Sequence, residues 1–266
     1  MAADDENSEA ERVDRIYSQR GYDTDPEYSD IDPAYLHRIH SMERATLRTI
    51  RTCGLASQLA AVRVLDFGCG NGRWFGRWIA WGAKPENLIG VDVRHSALEM
   101  AQATFPQSTF ASLDNGAIPL PDASVDIVVA NLVFSSILED AIRKEAAAEI
   151  VRVLRPGGFL FLSDFTVNNP SNPDVRALRA ADLGLLFTGL ERVYLKKIVL
   201  LPPLARKLVP RSWIAASIFE ASFPFLRTHM FAALRKPACA SAEVARPSWN
   251  FGGGPDDRQA AITDSS

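Results

Sequence analysis

The residues best placed to do chemistry are Gly68, Gly70 and Gly72, which alternate with Cys69 and Asn71 directly after the apolar run Val64-Leu65-Asp66-Phe67. Glycines at this spacing let the backbone take positive φ angles and let a ligand approach without meeting a Cβ. A tight βα turn with no ligand would show the same spacing, so the neighbouring acids decide the reading. Asp92 lies about 20 residues further on, at the end of the next apolar run, where an acid can grip ribose hydroxyls. A dinucleotide site is one candidate. Two residues oppose it: Arg73 stands where the third glycine of G-x-G-x-x-G should fall, and Asp66, just before the turn, would repel a pyrophosphate. An acid at Asp66 suits a cationic amino-acid tail instead.

S-adenosylmethionine has a ribose, an ammonium and a sulfonium but no phosphate, so acids at both Asp66 and Asp92 match it better than they match NAD. At these residues the sequence resembles the class I S-adenosylmethionine-dependent methyltransferases, particularly their small-molecule branch related to the quinone-biosynthesis enzymes. The resemblance runs from Val62 to Asp164, with further matches beyond. Leu65-Asp66-Phe67-Gly68-Cys69-Gly70-Asn71-Gly72 resembles the first family motif and Gly90-Val91-Asp92 the second. The resemblance implies cofactor contacts from Asp66, Gly68, Cys69, Gly70, Gly72, Asp92 and Val93. Leu113-Asp114-Asn115 is similar to the segment whose acid meets the adenine amino group and whose next backbone N–H meets the ring. Asn131 opens the stretch to Ile137 that the family places against donor and acceptor, although the histidine common near there is missing. In the resembled fold the last strand runs antiparallel, which brings Thr228-His229 to the carboxyl edge of the sheet and makes His229 the candidate general base or acceptor orienter.

Methyl transfer is an in-line displacement at a carbon already activated by sulfonium, so alignment and exclusion of water matter more than catalytic side chains. The expected activity is O-methylation of a small metabolite or glycan, with N-methylation of a small molecule as the alternative. From other classes, an NAD-dependent oxidoreductase and a noncatalytic binding module remain open, and the acids at Asp66 and Asp92 argue against both.

The elements that must position these residues read as alternating short apolar runs and amphipathic segments. Strands are expected at Val62 to Phe67, Leu88 to Val91, Thr109 to Ser112, Val125 to Leu132 and Phe159 to Ser163. Helices are expected at Arg73 to Trp81, Ser96 to Ala103 and Glu139 to Leu154, with Pro156-Gly157-Gly158 ending the last. Two further strands fall at Arg192 to Val199 and Thr228 to Leu234. This pattern is a doubly wound α/β fold, a mostly parallel seven-stranded sheet with an antiparallel last strand. Asp32 and Pro33 start a helix before it, and residues 13–58, with Tyr17, Tyr22, Tyr28 and Tyr35, form an N-terminal cap on a single domain spanning 13–237. A proline-broken helical insertion occupies about 200–226. Residues 1–12 read as disordered and 238–266 as a flexible tail, neither carrying chemistry.

The net charge of −3 over 266 residues gives no field to attract long nucleic acid. Cys53, Cys69 and Cys239 are too few and too scattered for a disulfide framework or a zinc site, and no metal cluster emerges. The acidic start is unlike a signal peptide, no apolar run is long enough to span a bilayer, and a cytoplasmic location is expected. Basic residues around the apolar insertion (Lys196, Lys197, Arg206, Lys207, Arg211) are compatible with a rim over substrate or with peripheral membrane contact. Trp74, Trp78 and Trp81 share a helical face and are read as core packing rather than a stacking platform.

Overall fold

Continuous apolar runs rather than alternating ones make the centre of the sheet, as expected of strands covered on both faces. The strands are β1 (Val64–Phe67), β2 (Leu88–Asp92), β3 (Thr109–Ser112), β4 (Val125–Asn131), β5 (Leu154–Phe165), β6 (Glu191–Leu200) and β7 (Arg227–Arg235). The computed structural model describes residues 2–20, 28–113, 116–169 and 172–238. Within them the strands form one sheet in the order β3-β2-β1-β4-β5-β7-β6. β1 through β5 pair in parallel, while β7 is antiparallel to both β5 and β6. The order reverses between β1 and β4, and in such sheets a ligand crevice opens at the carboxyl ends of the strands at that point.

The helices are α1 (Ala2–Arg20), α2 (Pro33–Thr52), α3 (Arg73–Ala80), α4 (His95–Thr104), α5 (Asp140–Val153), α6 (Asp182–Leu186), α7 (Pro202–Leu208) and α8 (Trp213–Ser222). Successive strand residues face opposite sides and build two cores. Leu65, Phe67, Val128 and Leu160 meet Ala147 and Ile150 of α5. Val64, Ile127, Val129 and Phe161 meet Phe75 and Trp78 of α3, so Trp78 is a core residue. Asp126 ties the starts of β1 and β4: its Oδ2 accepts from Arg63 N at 2.7 Å, and Arg155 pairs with its other oxygen. Asp32 caps α2 by accepting from Tyr35 N at 2.7 Å.

Two local expectations differ from the structure. Residues 2–12, expected to be disordered, lie in α1, because its Glu9 and Arg12 find partners near Ser136 and Leu138, far away in sequence. The turn expected at Pro156-Gly157-Gly158 is drawn into β5, where Gly157 N donates to Lys236 O at 2.8 Å and Lys236 N to Gly158 O at 2.9 Å. Pairing with the chain end of β7 is invisible to local sequence reasoning. The expected tail, with Cys239, lies outside the described residues beyond 238, as does Tyr22. Among the described residues no helix is long and apolar enough to cross a membrane, and no His/Cys/Asp/Glu group could hold a metal ion.

Candidate active site

The chain leaves β1 through Gly68, Gly70 and Gly72 with φ of +75°, +54° and +78°, conformations that L side chains rarely adopt. A Cβ on Gly68 would stand 2.5 Å from Val133 Cγ2, so the loop after β4 closes directly onto this glycine. Gly68 N and Cys69 N both donate to Val91 O, at 2.8 and 3.0 Å, which fastens the turn to β2. The carboxylate of Asp92 completes the fastening. Its Oδ2 accepts from Gly70 N at 2.8 Å and its Oδ1 from Arg94 N at 2.9 Å. Each oxygen keeps a further lone pair for a ligand hydroxyl.

Asp66 is 3% exposed, and its Oδ2 has no donor among the described residues. Burial, and then the Asp92 charge, push this carboxyl up to about 8. A buried carboxyl with an orphaned oxygen is costly unless a ligand supplies a donor. The set therefore fits the cofactor that the resemblance implies: an orphaned acid for an ammonium, lone pairs for ribose hydroxyls, and a backbone cradle that a Cβ would fill.

A cavity of about 490 Å³ opens at this edge of the sheet. Of the residues singled out in the sequence, Gly68, Cys69, Gly70, Asp92, Val93 and Asn131 line it, whereas Asp66 and Gly72 do not. Asp66 is buried in β1, and Gly72 is the left-handed residue before α3, packed toward Phe105. Asp114 and Asn115 lie outside the described residues, between Leu113 and Gly116, which both line the cavity. Beside Asn131, Leu132 has φ +61° and donates its N–H to Ser163 O at 2.7 Å. A leucine held there costs on the order of 1–3 kcal/mol, strain of the kind that gathers at ligand sites.

Glu9 and Arg12 of α1, in a stretch expected to carry no chemistry, line the cavity together with Tyr17. Glu9 pairs with Arg12 at 2.6 Å and accepts from Leu138 N at 2.7 Å. Burial alone would raise its carboxyl, but the Arg12 guanidinium and the Leu138 N–H hold it below the usual value. Arg12 also donates to Ser136 O, and Tyr17 Oη lies 3.0 Å from Ser136 Oγ. The Arg94 guanidinium, next to Asp92, sits over the Tyr17 ring at 4.9 Å. No local signal marks these pairings. The tyrosine cluster was the one clue to a cap.

His229 requires a correction. β7 does run antiparallel and sets His229 opposite Phe165 and Ile198 at the expected edge. Its side chain, however, is fully buried and does not line the cavity, which Phe165 walls instead. The imidazole lies 4.1 Å from the Phe165 ring, with Nδ1 3.0 Å from Thr228 Oγ1. Burial, then the positive charge of Arg38, hold it neutral with a pKa well below the usual imidazole value. As placed, the imidazole neither faces the cavity nor carries a charge. Asp164, raised by burial to about 6, accepts from Ser135 N at 3.0 Å and so fixes the loop that carries the cavity residues Ser135 and Ser136.

Residues 65–162 match the model of a methyltransferase domain. The chain is 32% identical over 152 residues to 27-O-demethylrifamycin SV methyltransferase of Amycolatopsis mediterranei, covering 54% of each chain. It is 32% identical over 165 residues to an O-methyltransferase of Aspergillus nomiae, covering 59% of this chain and 67% of that one. The matched stretch spans about half the length of several curated relatives. Among solved structures, an S-adenosylmethionine-dependent methyltransferase from Aquifex aeolicus superposes with a TM-score of 0.52 at 15% identity, covering 85% of this chain and 98% of that one. This last likeness concerns the fold alone.

Proposed function

The chain belongs to the class I S-adenosylmethionine-dependent methyltransferases, and on that premise we propose that it methylates an oxygen of a small-molecule acceptor held in the cavity. The observation that carries the reading is the pair of buried acids at the carboxyl edge, Asp66 with an orphaned oxygen and Asp92 fastened to the glycine turn. When bound, S-adenosylmethionine supplies a methyl group on a positively charged sulfur, ready for in-line displacement.

The residues of the chain then have mainly positional work. Asp66 would accept from the cofactor ammonium and Asp92 from the ribose hydroxyls, with the Gly68 to Gly70 backbone leaving room for the cofactor. By the family resemblance, Asp114 and Asn115 would be the residues that meet adenine. Asn131 and the strained Leu132 border the place where donor and acceptor meet. Glu9, Arg12 and Tyr17 hold α1 at the cavity and exclude water from it. An acceptor oxygen that ionises readily, such as that of a phenol or a carboxylic acid, would ask least of the side chains around it. The small-molecule O-methyltransferases among the relatives support oxygen over nitrogen. The test is transfer of labelled methyl to parallel panels of phenols, carboxylic acids, glycans and amines, with the modified atom located by NMR. Label on oxygen in the first two panels supports the proposal; label confined to amines replaces it with N-methylation.

A further inference from the structure

From the helical insertion we infer that the face formed by α8 and the turn after it docks on a bilayer surface carrying anionic headgroups. α8 packs Ala216, Trp213 and Phe219 against α7, yet it also turns large apolar side chains to the outside, where a helix of a globular core carries polar ones. Its buried positions are Ala216 and Glu220, while Ile214 and Ile218, one turn apart, are 73% and 61% exposed. Phe225, just beyond, is 76% exposed. The inner side is anchored by polar contacts: Glu220 accepts from Ser41 Oγ at 3.2 Å and from Val199 N at 3.2 Å, and lies 3.7 Å from His37 Nδ1. The apolar outer face is thus held outward by the fold.

Charge identifies the partner. Between Lys196 and Arg227 the sequence carries six Lys and Arg residues against a single acid, Glu220, in a chain whose net charge is −3. That acid is buried, whereas Lys196, Lys197, Lys207 and Arg211 are exposed. Exposed isoleucine and phenylalanine flanked by lysine and arginine are what an amphipathic element needs to enter the headgroup boundary and to attract anionic lipid. A partner protein of ordinary surface charge would not call for this one-sided distribution. α7, next in the chain to α8, also contributes Pro202 and Ala205 to the cavity wall, so the insertion borders cavity and bilayer together.

Co-sedimentation with vesicles tests the inference, and it needs no methyl transfer, so it stands or falls separately from the proposed activity. Wild type is expected to pellet with phosphatidylcholine vesicles containing phosphatidylglycerol, to do so less in high salt, and to stay in solution with phosphatidylcholine alone. Lys207→Gln and Arg211→Gln should each lower the partition coefficient about fivefold. The triple variant Ile214→Ser, Ile218→Ser, Phe225→Ser should lose binding while its thermal melt and its binding of S-adenosylhomocysteine are retained. Wild type that ignores both vesicle types, or variants that bind as wild type does, would overturn the inference. So would sedimentation velocity showing self-association that the triple variant abolishes, since the face would then belong to a second copy of this chain.

Discussion

Replacing Asp66 with asparagine separates two effects of one buried carboxyl. With its pKa at about 8, Asp66 holds a proton at neutral pH while no cation is near. Seating an ammonium against it requires that proton to leave. Affinity for S-adenosylhomocysteine should therefore rise with pH, by up to about tenfold per unit, and level off near pH 8. Binding below pH 8 should release close to one proton. In Asp66→Asn the slope disappears, and affinity near pH 8 falls by about 1–3 kcal/mol, the cost of a buried polar group losing its partner. Stability without ligand moves the other way. The folded pKa lies above the unfolded value of 3.8, so the folded state holds the proton more tightly; that stabilisation is complete below about pH 4 and is lost as pH rises toward 8. The amide that replaces the carboxyl cannot ionise, so the Asp66→Asn variant should melt higher than wild type at pH 8. Calorimetric titrations in buffers of different ionisation heat count the protons, and thermal melts across pH follow the stability. A wild-type affinity that is flat with pH and releases no proton would refute the reasoning.

Asp92→Ala should weaken S-adenosylhomocysteine binding by about 1–3 kcal/mol in a folded protein, read by calorimetry, because it removes both the proposed ribose acceptor and the clamp on Gly70. Glu9→Gln should loosen α1, seen as faster hydrogen exchange over residues 9–20; in wild type the same loosening should appear as pH falls through the lowered pKa of Glu9, since a depressed carboxyl stabilises only while ionised. His229→Phe should leave the pH profile of turnover and the cofactor affinity unchanged, because the imidazole is enclosed and neutral; a lost limb in the pH profile would restore its catalytic role.

Much of the sheet was legible because parallel buried strands announce themselves as unbroken apolar runs, and Thr109–Ser112 falls where the sequence put it. The glycine turn was legible for a different reason: glycine takes without strain the positive φ found at Gly68, Gly70 and Gly72. What escaped depends on partners distant in the chain. α1 has little apolar surface of its own, and its place is set by Glu9 meeting Leu138 N and Arg12 meeting Ser136 O. β5 gains its first residues by pairing beyond β7. For His229 topology gave the right edge but not the direction of the side chain, which turns on packing against Phe165.

The most direct measurement is a crystal structure of the protein with S-adenosylhomocysteine. The expected result is an ammonium within hydrogen-bonding distance of the Asp66 carboxylate, ribose hydroxyls on Asp92, and the Gly68 to Gly70 backbone against the ligand. A ligand whose ammonium lies away from Asp66 and whose ribose avoids Asp92 would contradict it.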